Sequence, residues 1–174
     1  MHYWLQDIPD QSTQAVLGQV PGRWGRMDPI SRLAVVEVGR LLREAGLLTE
    51  SAHLIPESLR VGLVAGTERG SLATDLAYAE DLKSGDLVSP NLFCYTLANV
   101  PLSEAAVHYR LQGPVYSIFT EQPLAESIQE ATFWLRNDLS LDFMIAGALD
   151  YFPAQQGSGD LMHQNSQFKL ISLK

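Results

Sequence analysis

Two points in the sequence place polar side chains where a predicted strand gives way to a predicted helix. The first reads Gly66-Thr67-Glu68-Arg69-Gly70-Ser71, and the second reads Phe119-Thr120-Glu121-Gln122-Pro123-Leu124. The free amide groups and positive dipole end of a helix N-terminus stabilise a nearby negative charge. The chemistry to consider is therefore phosphate binding at the first junction, and stabilisation of an anionic nucleophile or an enolate at the second.

The first junction lacks the features of a nucleotide-binding loop. It has neither the G-x-G-x-x-G spacing of a dinucleotide site nor the Gly-Lys-Ser/Thr ending of a P-loop. We predict a tight structural turn here.

The second junction has Thr120 as its predicted helix cap and Pro123 in the first helical turn. Gln122 supplies no nucleophile, but its side-chain amide can donate hydrogen bonds to a carbonyl oxygen or an enolate. Two interpretations stay open at this point: Gln122 acts electrostatically, or it is a polar residue that fills a disused pocket.

The remaining chemistry-bearing residues form no catalytic or metal-binding motif. Cys94 is the one cysteine, so an intramolecular disulfide is excluded, and we expect it to be a small, partly buried residue. The histidines lie far apart without zinc-ligand spacing: His2, His53, His108 and His163. We predict no metal and no cofactor.

Charge and hydropathy restrict the partners. A net charge of -8 with 12 Lys and Arg argues against a nucleic-acid surface, which needs clustered cations. The same charge disfavours direct docking of an acidic protein. No apolar run reaches the roughly 18 residues of a membrane span, so we expect no membrane association and a cytoplasmic protein.

Breakers and apolar patterns predict the elements that position the two junctions. A helix capped by Asp28 ends at Gly46, and the later elements alternate between strand and helix. The predicted strands are 59–66, 115–120, 143–148 and an edge strand at 168–173; the predicted helices are 71–82, 97–111 and 121–136; the predicted exposed loops are 21–25 and 153–159. The pattern indicates one α/β unit over residues 1–174, with a largely parallel sheet covered by helices.

Five segments, taken in order, resemble the N-terminal half of β-ketoacyl synthases, which belong to the thiolase-like superfamily. They are residues 27–34, residues 61–70, residues 89–100, Leu111-Gln112-Gly113-Pro114, and Phe143-Met144-Ile145-Ala146-Gly147-Ala148. The last differs from the family's alanine-glycine-glycine strand because Ala148 replaces the second glycine. The resemblance implies a thiolase-like half-fold and places Gln122 where the family carries its nucleophilic cysteine.

The resemblance also implies that condensation is lost. Complete family members draw two catalytic histidines and a lysine from a C-terminal half that this sequence does not match, and neither His108 nor His163 fits a histidine motif of the family. Glutamine at the cysteine position also occurs in chain-length-factor subunits and in loading decarboxylase domains. We therefore expect a non-condensing, chain-length-factor-like partner; the alternative is an acyltransferase or malonyl-thioester decarboxylase that acts through a composite site with a partner.

Family resemblance further implies a dimer surface, because the nucleophile-bearing strand pairs with its twofold mate in these proteins. The expected interface residues are Asn99, Val115, Tyr116, Ser117, Ile118, Phe119 and Thr120, with the helix from about 99 to 110 beside them. We expect a homodimer or a heterodimer with a complete ketosynthase that covers exposed apolar surface. Any contact with an acyl carrier protein would then be made through that partner.

Overall fold

A four-stranded sheet forms the centre of the computed structural model, which describes residues 6–49, 52–85, 89–154 and 162–173. Its strands, in the spatial order β2-β1-β3-β4, are β1 (Val61–Thr67), β2 (Val115–Phe119), β3 (Phe143–Pro153) and β4 (Met162–Ile171). β1 runs parallel to both β2 and β3, whereas β4 is antiparallel to β3 at the other edge. The predicted mostly parallel sheet with a final edge strand is confirmed.

Helices cover both faces of this sheet. They are α1 (Gln11–Leu17), α2 (Pro29–Glu44), α3 (Leu72–Ser84), α4 (Pro90–Cys94), α5 (Val100–Tyr109) and α6 (Pro123–Asn137). One core cluster joins the sheet to α2 and α5, with Leu33, Leu63 and Ile145 fully buried, and a second lies beneath α6, with Val64 and Met144 fully buried. None of the helices in the described part of the chain is long and apolar enough to cross a membrane.

Helix α2 begins as its sequence predicts. The carboxylate of Asp28 accepts the N–H of Ser31 at 3.1 Å, and Pro29 occupies the first turn, where a missing N–H costs nothing. Thr74 Oγ1 donates to the same carboxylate at 2.7 Å and so ties α3 to α2. Burial raises the pKa of Asp28.

Several predicted boundaries differ from the structure because long-range contacts decide them. Three helices lie between β1 and β2, and the helix predicted over 97–111 is shorter, since Arg110 (φ 58°) ends α5. The hairpin of β3 and β4 extends both strands: β4 begins at Met162, not at 168. The loop over 21–25 is not wholly exposed, because Trp24 is buried and its Nε1 donates to the carbonyl of Gln6. The predicted loop beyond residue 154 lies outside the described residues.

Candidate functional site

The two junctions meet at one edge of the sheet. β1 and β2 are parallel neighbours, so their carboxyl ends lie side by side, and the N–H of Thr120 donates to the carbonyl of Thr67 at 3.0 Å. A cavity of about 540 Å³ opens there, lined by Glu68, Arg69, Phe119, Thr120 and Glu121. This edge is the candidate site.

A buried carboxylate shapes the first junction. Asp150, at 1% exposure, accepts hydrogen bonds from Thr67 Oγ1 at 2.6 Å, from the N–H of Glu68 at 3.1 Å and from the N–H of Arg69 at 3.2 Å. The N–H of Gly70 donates in turn to Thr67 Oγ1 at 2.7 Å. Because the chain's own carboxylate occupies the amides that would cradle a phosphate, the predicted structural turn is confirmed.

Asp150 was missed by the sequence analysis. Its one signal is an acidic residue inside an apolar run, immediately after Leu149 in β3. A carboxylate at such a position needs hydrogen-bond donors when it is buried. The sequence gives no indication that those donors come from a turn 81 to 83 residues away.

The second junction is positioned by a close backbone approach. A Cβ atom added to Gly66 would lie 2.3 Å from the carbonyl oxygen of Pro123, so the first turn of α6 rests directly on β1. The hydroxyl of Thr120 accepts the N–H of Gln122 at 3.0 Å. The N-cap residue of α6 is Gln122, so the prediction of Thr120 as the cap is wrong. The Gln122 side chain makes no capping hydrogen bond.

Gln122 is exposed at this junction. Its side chain makes no hydrogen bond with the part of the chain that the structure describes, and it does not line the cavity. The side chain therefore does not fill a disused pocket, contrary to one of the two interpretations of the sequence. Its amide is free to donate a hydrogen bond to a bound molecule, but no neighbouring residue holds its orientation.

The histidines of the described residues lie elsewhere. His53 and His108 face each other with ring centroids 5.6 Å apart, near the C-terminal end of α5, and His163 stacks on Phe152 in the β3–β4 hairpin. His108 Nε2 lies 3.2 Å from the carbonyl oxygen of Leu17, and burial lowers the pKa of this imidazole. His2 is outside the described residues.

Neither cysteine nor metal chemistry is placed at the edge. Cys94 ends α4 and is exposed, so the expectation of a partly buried residue is wrong. No group of three His, Cys, Asp or Glu residues in the described ranges could hold a metal ion.

Strand β2 is the outermost strand next to the candidate site. The N–H of Leu63 donates to the carbonyl of Pro114, and the N–H of Thr120 donates to the carbonyl of Thr67. The backbone N–H and C=O groups of the even-numbered residues of β2 therefore face β1. The backbone groups of Val115, Ser117 and Phe119 consequently face the open edge.

Asn99 covers part of that edge from within the chain. Its Oδ1 accepts the N–H of Ser117 at 2.7 Å, and Ser117 Oγ donates to the carbonyl of Ala98 at 2.8 Å. Helix α5, expected beside the interface, is mostly buried in the core and exposes Ser103 and Val107. Among the expected interface residues of β2, Phe119 is the most open, with 69% of its surface exposed.

Tyr116 and Ile118 point to the opposite face and pack beneath α6. The hydroxyl of Tyr116 donates to Glu130 Oε1 at 2.5 Å and accepts from Trp134 Nε1 at 2.6 Å. Burial and the neighbouring carboxylate raise the pKa of Tyr116 to about 12. These contacts fasten the open strand to α6.

A family model connects this architecture to known proteins. The model of the β-ketoacyl synthase N-terminal domain matches residues 3–159. No curated protein matches the chain.

Solved structures of ketosynthase-type proteins share its fold. The ishigamide ketosynthase/chain length factor has a TM-score of 0.63 at 19% identity and covers 82% of this chain and 35% of its own. A β-ketoacyl synthase from Burkholderia phymatum STM815 has a TM-score of 0.55 at 17% sequence identity. The match covers 81% of this chain and 32% of the synthase chain. The structure of the ketosynthase ApeO in complex with its chain length factor ApeC, from Xenorhabdus doucetiae, has a TM-score of 0.55 at 16% sequence identity. The match covers 76% of this chain and 50% of the matched chain. The chain thus spans a third to a half of the length of these structures.

Proposed function

The chain belongs to the β-ketoacyl synthase family, and from that premise we propose that it is a non-condensing, chain-length-factor-like partner of a ketosynthase in fatty-acid or polyketide-type biosynthesis. The observation that carries the proposal is the junction at Gln122. Its backbone is held by the contact of Gly66 with Pro123, yet the side chain at the nucleophile's position is an exposed carboxamide. A carboxamide forms no acyl-enzyme, so retention of the junction without its nucleophile supports a role in binding.

Histidine placement supports the same proposal. Acyl transfer needs a general acid or base within hydrogen-bond reach of the reacting group. The described histidines, His53, His108 and His163, lie outside the lining of the cavity beside Gln122. Any condensation would therefore take place at the site of a partner.

We place the partner at the open edge of β2. An outermost strand presents unpaired N–H and C=O groups that a second strand can satisfy. Asn99 already takes the N–H of Ser117, so the other outward groups of Val115, Ser117 and Phe119 are left for a mate. This surface suits a second copy of the chain or a complete ketosynthase, and the ishigamide and ApeO–ApeC structures are named for pairs of this second kind.

Carrier-protein contact is assigned to the partner. With a net charge of -8, the chain repels an acidic carrier, and the cavity is lined by two acids, Glu68 and Glu121, and one cation, Arg69. We expect an acyl carrier protein to bind the complex but not the isolated chain. Pulldown with an acyl carrier protein at low salt, where electrostatic interactions are least screened, distinguishes binding to the complex from binding to the isolated chain.

Paired substitutions test the proposed interface. Phe119→Glu places a charge at the open end of β2, whereas Phe133→Glu places the same charge on α6, where the ring is 57% exposed. With a co-expressed complete ketosynthase, Phe119→Glu should weaken association at least about tenfold, since an unpaired charge in an interface is costly to desolvate. Phe133→Glu should bind like the parent chain. Equal binding by all three proteins would rule out the β2 edge as the interface.

The exposed amide of Gln122 beside the cavity favours one second candidate, a malonyl-thioester decarboxylase or acyltransferase working through a composite site with the partner. Amide donors can stabilise a developing enolate. In the reconstituted complex, Gln122→Ala would then lower malonyl-thioester turnover at least about tenfold without lowering Tm. Turnover unaffected by Gln122→Ala would exclude this candidate and leave the binding role in place.

A further inference from the structure

Two cavities beside α5 are separate from the candidate site. The first, of about 280 Å³, is lined mainly by the segment 19–23 and by α5, and the second, of about 270 Å³, is lined mainly by α4 and α5. Arg23, Glu104 and Val107 line both cavities, and neither cavity shares a lining residue with the one beside Gln122. The two cavities therefore meet at Glu104, and we call them together the Glu104 site.

The carboxylate of Glu104 is almost removed from water, since its side chain is 7% exposed. Its Oε1 accepts the hydroxyl of Tyr95 at 3.0 Å, and its Oε2 accepts Nη2 of Arg23 at 2.8 Å. Burial and the hydrogen bond to Glu104 raise the pKa of Tyr95, so the phenol stays protonated and keeps its role as a donor. A buried carboxylate without a cation is costly. Glu104 therefore requires a positively charged partner, which in the isolated chain is Arg23.

Arg23 is a weakly held partner. Its side chain is 58% exposed, and its hydrogen bond to Glu104 is the one that it makes within the described part of the chain. The segment around it is loosely surrounded, because a Cβ added to Gly22 or Gly25 would have nothing within 4 Å. When one partner of an ion pair is exposed, the ordering of its long side chain offsets much of the attraction. Another cation can therefore replace Arg23 on Glu104 at little cost.

Other polar side chains that line the Glu104 site already use a donor within the chain. Each of three lies at hydrogen-bond distance from a backbone carbonyl: Asn91 Nδ2 at 2.9 Å, Ser103 Oγ at 3.0 Å and His108 Nε2 at 3.2 Å. Burial lowers the pKa of His108, and because a carbonyl only accepts, the neutral ring carries its proton on Nε2. The oxygens of Asn91 and Ser103 and the Nδ1 atom of His108 are left as acceptors. Such a lining favours a ligand that carries N–H donors.

Apolar side chains and the charge of the chain restrict the ligand further. Val107, which lines both cavities, is 71% exposed, while Met27 contributes to the first cavity and Val100 to the second. Methylene groups that cover these side chains would be removed from water favourably. The net charge of -8 attracts cations and repels anions. A ligand with an apolar middle and positively charged ends fits this combination.

We propose that the Glu104 site binds a linear aliphatic diamine, of which one ammonium group replaces the Arg23 guanidinium on Glu104. The methylene chain lies along Val107, and the acceptors of the lining receive the second ammonium group. This site does not involve Gln122 or the edge of β2, so it is independent of the proposed function.

Titration of the isolated chain with 1,4-diaminobutane tests the site. Calorimetry should show saturable binding with one site per chain at ligand concentrations up to about 10 mM. Butylamine, which has a single ammonium group, should bind at least about tenfold more weakly. In NMR spectra the amide shifts should be concentrated in residues 19–23, 91–95 and 103–108. Shifts spread evenly over the acidic surface, or equal affinity for butylamine, would overturn the inference.

Two pairs of variants test the roles of the carboxylate and of its present partner. Glu104→Gln should weaken diamine binding at least about tenfold, while Glu126→Gln on the exposed side of α6 should not. Arg23→Ala should tighten binding at least about tenfold, because the competing cation is gone. Arg26→Ala removes a cation from the same segment but lines neither cavity, so it should leave the affinity unchanged within about twofold. Arg23 is exposed, so Arg23→Ala keeps the test decisive if Glu104→Gln lowers Tm.

Succinate, a dianion of similar length, tests the opposite assignment, in which Arg23 holds an anion. Binding of succinate that is lost in Arg23→Ala would overturn the inference. The absence of saturable diamine binding in both the parent chain and Arg23→Ala would overturn it as well, as would an affinity that Arg23→Ala leaves unchanged. None of these results affects the proposed partner, which Phe119→Glu tests separately.

Discussion

Removal of the Asp150 carboxylate should unfold the turn that forms one side of the candidate site. The carboxylate is 1% exposed and accepts hydrogen bonds from Thr67, Glu68 and Arg69. Asp150→Ala leaves these donors without an acceptor. One of them is the hydroxyl of Thr67, which is also buried. Hydrogen bonds to a charged group contribute about 1.5–3 kcal/mol each, and they are not additive within one network, so we expect a loss of about 3–4 kcal/mol.

Urea denaturation measures this loss, with Asp81→Ala as the matched control. Asp81 is exposed on α3, and its removal should change the free energy of unfolding by less than about 0.5 kcal/mol. The m-value should stay constant if both variants keep two-state unfolding.

A double-mutant cycle with Thr67→Val isolates the contact of 2.6 Å between the Thr67 hydroxyl and Asp150. The coupling free energy should be about 1–2 kcal/mol. A cost of Asp150→Ala below about 1 kcal/mol, or a coupling near zero, would refute the assignment of Asp150 as the residue that holds the turn.

Two further perturbations check the packing of α6 and a buried imidazole. Gly66→Ala drives a methyl group into the backbone of Pro123 and should lower the free energy of unfolding by about 1–3 kcal/mol. Gly22→Ala is the control, because a Cβ atom at that position has nothing within 4 Å, and it should leave stability unchanged. Equal urea midpoints for the two variants would contradict the close approach of α6 to β1. Burial lowers the pKa of His108, so its neutral form is favoured in the folded state, and its contribution to stability is lost as pH falls from the unfolded value of 6.5 through the lowered pKa. The free energy of unfolding of the parent chain should therefore fall between about pH 7.5 and 5.5, and that of His108→Gln should fall less steeply. Parallel pH profiles for the two proteins would contradict this role of His108.

The elements that carry the site follow from local signals. The residues of β1 before Thr67 are apolar because the strand is buried on both faces, and that pattern is visible in the sequence. Asp28 and Pro29 begin α2, and Pro123 in its first turn begins α6, because capping and proline geometry are local. The final strand was predicted too short, because the extent of a hairpin depends on which residues pair across it.

The contacts that hold the site do not follow from local signals. Asp150 reaches the first junction across 83 residues, and Asn99 reaches Ser117 across 18. A side chain's hydrogen-bond partner depends on where the fold brings distant segments, and neither Asp150 nor Asn99 stands in a motif that states its partner. The interface residues of β2 were proposed from resemblance, whereas the direction of each residue comes from its register with β1.

The position of Gln122 at the second junction, and its inability to act as a nucleophile, follow from the sequence, because both depend on residue type and on the strand-to-helix transition. The folded chain shows in addition that Gln122 is exposed and that Asp150 occupies the amides of the first junction. Burial is a property of contacts between distant segments.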